Sequence, residues 1–167
     1  MIDVASIVPS SRDFLQAIAT RKKRLALVAL VDRSDDAARL AAAGITAFAV
    51  RAPGDAMRAV SAAVGSCPVF SLAMVTSADD ALRARASGAD AVVIDALDPP
   101  AWDALSKHVR STRMASLSLA FDDASAALAV ATVAKAAYLR ADGGDVPALA
   151  SKLGSFRTLA HVPAADE

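Results

Sequence analysis

Five polar side chains stand where this sequence can place chemistry. Asp32 follows the apolar run LALVALV (25–31), Arg51 follows TAFAV (46–50), Asp95 lies in AVVIDA (91–96), Arg140 closes AAYLR (136–140) and His161 lies in RTLAHV (157–162). Asp32, Asp95 and His161 are the candidates for proton transfer, since carboxylate and imidazole are the ordinary bases near neutral pH. Arg51 and Arg140 are the candidates for holding a phosphate or carboxylate, because a guanidinium fork matches both shapes. The competing reading makes Arg33, Arg51 and Arg140 solvated strand ends or partners of nearby aspartates. For Asp95, which precedes the turn LDPP, it is capping or turn-making.

Other chemistries lack their residues. His108, in ALSKHVRS, reads as the C-terminal part of an outer helix, where a cation is favourable. It has no carboxylate cluster beside it, so no metal site is expected. The single cysteine, Cys67, excludes an internal disulfide and a cysteine-rich metal centre, and reads as a small buried thiol. SLS (116–118) is not a nucleophile elbow. VDRSDDA, after the first apolar run, has no glycine with which to cradle a dinucleotide. GGD (143–145) reads as a turn or a backbone anion nest. Trp102 is expected to pack, and no cofactor is expected.

The elements that must position these residues follow from periodicity. Seven apolar runs (the five above, with PVFSLAMV at 68–75 and MASLSLAF at 114–121) have the length of buried strands. Between them lie alanine-rich segments that open on Ser, Asp or Pro and often close on Gly, as capped helices do. The acidic pairs Asp35–Asp36, Asp79–Asp80 and Asp122–Asp123 sit at such openings and read as helix caps and dipole partners. AAAGITAFAV (41–50) and RASGADAVVI (85–94) repeat one phrase, a helix ending on glycine and a strand following at once. Continuous apolar strands joined by helices predict a parallel sheet covered on both faces, either an open doubly wound sheet or most of a (βα)₈ barrel. Seven strands fall short of the eight that close such a barrel.

Bulk composition sets the remaining bounds. The 167 residues are 55% hydrophobic, enough for one sizeable core. Lys+Arg and Asp+Glu both count 18, so the net charge is zero and no footprint for nucleic acid or an anionic membrane exists. Neutrality with this much apolar content favours self-association or a covering partner. MIDVASIVPSSRD carries no uninterrupted apolar stretch and LALVALV is too short to span a bilayer, so a soluble, cytoplasmic protein is expected. The expected organisation is an N-terminal segment with a leading helix (1–24), one (βα)-repeat domain (25–163) and a tail (164–167).

Read in order, the segments resemble indole glycerol phosphate synthase, a (βα)₈ barrel enzyme of tryptophan biosynthesis. RDFLQAI (12–18) is similar to that family's extra N-terminal helix, and ARLAAAGITAFAV to its second-strand region. CPVFSLAMV falls where the family has PVLRKDF, and ARASGADAVVIDA is close to its ARAAGADAVLLI. MASLSLAFDDASAALA, AKAAYLRA and RTLAHVPA follow as its fifth, sixth and seventh strands, so the resemblance runs from Arg12 to Pro163. It implies a truncated, incomplete barrel of about seven strands with a leading helix.

The same alignment removes the family's chemistry. Asp32 stands for its first-strand lysine, Leu30 for the neighbouring glutamate, Leu72 for the third-strand lysine, Leu119 for the fifth-strand glutamate and Arg140 for the asparagine. Ring closure with loss of CO₂ and water needs a donor and a base, and leucine is neither. The first βα loop shrinks to Arg33–Asp35, the insertion after the second strand to Ala52–Gly54, and no eighth unit follows. The expectation is a pseudoenzyme that acts by protein binding or as a homo-oligomer, most simply a homodimer. The alternative is an altered lyase- or isomerase-type enzyme for a small anionic ligand, using Asp32, Asp95, Arg140 and His161. A third is a chain whose complement sits on another polypeptide.

Overall fold

The computed structural model describes residues 7–19, 27–96, 98–134, 136–140, 145–154 and 156–160. The strands are β1 (Val28–Leu30), β2 (Ala47–Val50), β3 (Val69–Val75), β4 (Ala91–Ile94), β5 (Ala115–Ala120), β6 (Ala136–Leu139) and β7 (Arg157–Ala160). Helix α1 (Phe14–Ala17) precedes them. Then α2 (Ser34–Ala42), α3 (Asp55–Ala63), α4 (Ala78–Ala86), α5 (Pro99–Ser111), α6 (Asp123–Ala131) and α7 (Val146–Leu153) fill the intervals.

Strand order separates the two architectures that periodicity leaves open. The sheet runs β1-β2-β3-β4-β5-β6-β7, every pair parallel. A doubly wound sheet reverses direction at a switch point; here every crossover advances the same way. Right-handed connections then place the crossover helices on one face, as in a barrel. The result is an incomplete TIM-barrel-like fold, a curled sheet that does not close between β1 and β7 among the described residues.

Alternation along the strands sorts side chains to two faces. Phe48, Val50, Val69, Val75, Val92 and Ile94 pack outward with Met57, Val60, Trp102 and Val109 of the helices. Ala47, Ala49, Phe70, Val93, Leu117, Leu119 and Tyr138 face inward, where Phe14 and Ile18 of the leading segment cover them. Phe14 stacks on Phe70 at 5.2 Å between centroids, and Phe70 meets Tyr138 at 5.7 Å. The leading helix is shorter than the run RDFLQAI suggests. Asp13 accepts from the Gln16 N–H as its N-cap, which leaves Arg12 outside the helix.

Several strands end inside their apolar runs. Edge strand β1 finds partners on one side only, so LALVALV contributes three paired residues. AVVIDA leaves the sheet after Ile94, which places Asp95 just beyond it. The acidic pairs do sit in first helical turns. Ser77 and Asp80 form a capping box, as do Asp122 and Ser125, and Asp98 and Asp145 cap α5 and α7. Hydrogen bonds from the Ser77 hydroxyl, then from Thr76, hold the Asp80 carboxyl below its ordinary value. Of the two roles expected for Asp95, capping or turn-making, the cap of α5 falls to Asp98.

The repeated glycines separate two kinds of cost. Gly44 and Gly88 both adopt positive φ, +96° and +98°, as helix-to-strand turns require. A Cβ at Gly44 meets open space, whereas one at Gly88 lies 2.6 Å from Ser61 Cβ. Both alanine variants are expected to lose about 1–2 kcal/mol for the backbone conformation. Gly88→Ala should lose clearly more, because Cβ atoms cannot approach so closely. Equal denaturation midpoints for the two variants would refute the close approach of α3 to this turn.

Candidate functional site

Asp32 and Arg51 meet beyond the C-terminal ends of β1 and β2, with Arg51 Nε 3.8 Å from Asp32 Oδ2. Both side chains are about two-thirds exposed (65% and 67%), a placement in which an ion pair contributes little and organises no proton transfer. Arg33 is likewise 3.9 Å from Asp35 at the surface. Both arginines are thus exposed beside an aspartate. No ion pair or hydrogen bond joins Asp32 or Arg51 to Asp95 among the described residues. Arg140 lies over the Phe121 ring, its guanidinium carbon 6.0 Å from the centroid, an arrangement that suits a cation on a π face. His161 and the glycines Gly143 and Gly144 lie outside the described residues. His108 is exposed in the last turn of α5. Cys67 is half-buried rather than buried, its Sγ 3.8 Å from the Ile45 carbonyl oxygen.

A cavity of about 270 Å³ opens where β4 and β5 end between α5 and α6, lined by Ile94, Asp95, Trp102, Ser118, Leu119 and Phe121 among others. Trp102 packs as expected and is 1% exposed, yet its Nε1 has no hydrogen-bond partner among the described residues. Ser118 is 2% exposed and its hydroxyl makes no hydrogen bond to a described residue. Asp122 and Ser125 also line the cavity, but they satisfy each other in the α6 capping box.

At the positions aligned with catalytic charges, Leu119 is buried at 7% exposure in the inward cluster and Leu72 is half-buried against it. Leu72 is thus less enclosed than its apolar run suggests. The register shifts between Ser71 and Met74, an irregularity of β3 that spans Leu72 and Ala73. Leu30 sits on the edge strand, 37% exposed. Phe14, Phe70, Leu117 and Leu119 pack in the inward cluster, with Tyr138 among them.

The most connected charged group lies at the opposite end. Asp90 precedes β4, and its side chain is 0% exposed. Its carboxylate takes Arg12 Nε at 2.8 Å, Arg85 Nη1 at 2.8 Å, the Ser10 hydroxyl at 2.6 Å and the Val69 N–H at 2.9 Å. Arg12 also donates to the carbonyls of Ser61, Gly65, Cys67 and Gly88, and Arg85 to that of Val8. This cluster pins the leading segment under the N-terminal ends of the strands, the end that serves stability in such folds. Sequence reasoning passed it over, although a signal existed. Aligning AAAGITAFAV with RASGADAVVI sets Arg85 against Ala41 and Asp90 against Thr46, two changes of opposite charge in one repeat.

The chain matches no family model and no curated protein. Among solved structures it is similar to the tryptophan synthase alpha chain of Legionella pneumophila subsp. pneumophila, a TIM barrel of the tryptophan pathway. The two share 12% identity at a TM-score of 0.48, over 75% of this chain and 64% of that one. The chain therefore spans less than two thirds of that structure's length. No helix among the described residues is long and apolar enough to cross a membrane.

Proposed function

We propose that this chain is a non-catalytic relative of indole glycerol phosphate synthase that acts by assembly, with a second copy of itself as its partner. The inward face of the sheet carries the reading. Where the resembling family has lysine and glutamate, Leu119 is buried and Leu72 half-buried, and Phe14 and Ile18 pack the face from below. Apolar packing of this kind stabilises the domain, and neither leucine can take or give a proton. Asp32, set against the family's first-strand lysine, lies exposed 3.8 Å from Arg51.

Assembly follows from the edges. Among the described residues β1 and β7 each have one sheet neighbour, which leaves a row of backbone donors and acceptors on the far side. Leu27 and Leu30 on or beside β1 are 65% and 37% exposed, so that edge is apolar as well as unpaired. Pairing β1 with its counterpart in a second copy satisfies both demands, and two-fold dimers are the commonest soluble assembly.

Purified protein is expected not to convert the synthase substrate to indole glycerol phosphate above background. Turnover that persists after rigorous removal of the host enzyme would overturn the non-catalytic reading.

A further inference from the structure

We propose that the cavity between α5 and α6 binds a small organic amine in its ammonium form, with an apolar body and an oxygen that can accept a hydrogen bond. Sign of charge is the first argument. Asp95 and Asp122 line the cavity and, among the described residues, no lysine, arginine or histidine does, so an anion entering it meets two carboxylates. Asp122 is engaged by Ser125 within the α6 cap, whereas Asp95 is exposed at the rim and its carboxylate has no hydrogen bond or ion pair with a described residue. An ammonium at the mouth therefore finds Asp95 available. Arg140 does not line the cavity; it stands on the ring of Phe121.

The second argument is independent of charge. Buried polar groups are nearly always paired, yet the buried Trp102 Nε1 has no partner among the described residues, and the hydroxyl of Ser118, a residue 2% exposed, makes no hydrogen bond to a described residue. Both residues line this cavity. An indole N–H needs an acceptor, and a hydroxyl group can serve both it and the serine. Ile94, Leu119, Phe121 and Leu128 supply the apolar wall for the ligand body. At roughly 30 Å³ per water, a volume near 270 Å³ suits a molecule the size of a single substituted ring. The inference stands apart from the assembly reading: neither turnover nor molecular mass bears on it.

The chain's single tryptophan is Trp102, so its emission reports this cavity alone. Phenylethanolamine and phenylacetate, similar in size and opposite in charge, are the probes. The amine is expected to change Trp102 emission saturably, phenylacetate to leave it unchanged, and Asp95→Asn to weaken the amine at least tenfold. The exposed, unbonded side chain of Asp95 means this variant should melt with the parent, which a thermal scan confirms. Three results would each overturn the proposal: no saturable change with millimolar amine, phenylacetate binding as tightly, or an affinity that Asp95→Asn leaves unaltered.

Discussion

Asp90→Ala is expected to remove about 3–5 kcal/mol of stability, the usual loss when one partner of a buried ion pair is deleted. For a domain of this size that is a fall in melting temperature of roughly 6–20 °C. The carboxylate is fully shielded from solvent and lies against two arginines, a hydroxyl and a backbone N–H. Without it, Arg12 and Arg85 face each other as uncompensated cations, 13% and 11% exposed. Ser10 and Val69 lose their acceptor as well. The leading segment should then detach, which uncovers the inward face held by Phe14. Asp79→Ala is the control: its pair with Arg83 is exposed and spaced i,i+4, so the loss should be a few tenths of a kcal/mol. Arg85→Ala should cost less in the Asp90→Ala background than alone, because the two share one network. Equal melting temperatures for Asp90→Ala and Asp79→Ala would refute this account of the base.

Leu119→Lys is the second large expected effect, and it probes the inward face directly. Loss of the buried leucine alone is worth about 2–5 kcal/mol by large-to-small comparison. Desolvation of an ammonium within the inward cluster of Phe70, Leu117 and Tyr138 adds to that loss. Leu72→Lys should be milder. Leu72 is half-buried in the β3 irregularity, and a lysine there can bury its stem and carry its charge to the rim. Leu72→Lys with Asp32→Lys is expected not to restore synthase turnover, because the loops after β1 and β2 remain only a few residues long. Thermal denaturation of the Leu119 and Leu72 variants side by side decides the matter. A Leu119→Lys protein that melts with the parent would mean position 119 does not face a packed interior.

The two kinds of finding differed in how far the sequence disclosed them. The seven strands and their parallel order were legible because each apolar run is short, continuous and followed by a capped helix, a local signal repeated many times. Ends of elements were less legible. The run LALVALV does not say that its strand lies at an edge, and RDFLQAI does not say that Asp13 caps the helix after Arg12. Sites depend on contacts between distant segments. Arg12 reaches Asp90 across 78 positions, and Trp102 meets Ser118 at the cavity only because α5 and β5 fold together. Charge identity alone favoured Asp32, yet the fold leaves that residue in solvent with Arg51. Asp90 stands out only when its repeat is aligned with the first, where Thr46 takes its place.

The central claim, that this chain acts by assembly with a second copy, is tested most directly by light scattering over a range of concentrations. The account predicts a mass of twice the 17.0 kDa chain. It also predicts a shift toward the single chain in Leu30→Lys, which places a charge on the apolar edge of β1. A mass of 17.0 kDa at every concentration for the parent protein would contradict self-assembly.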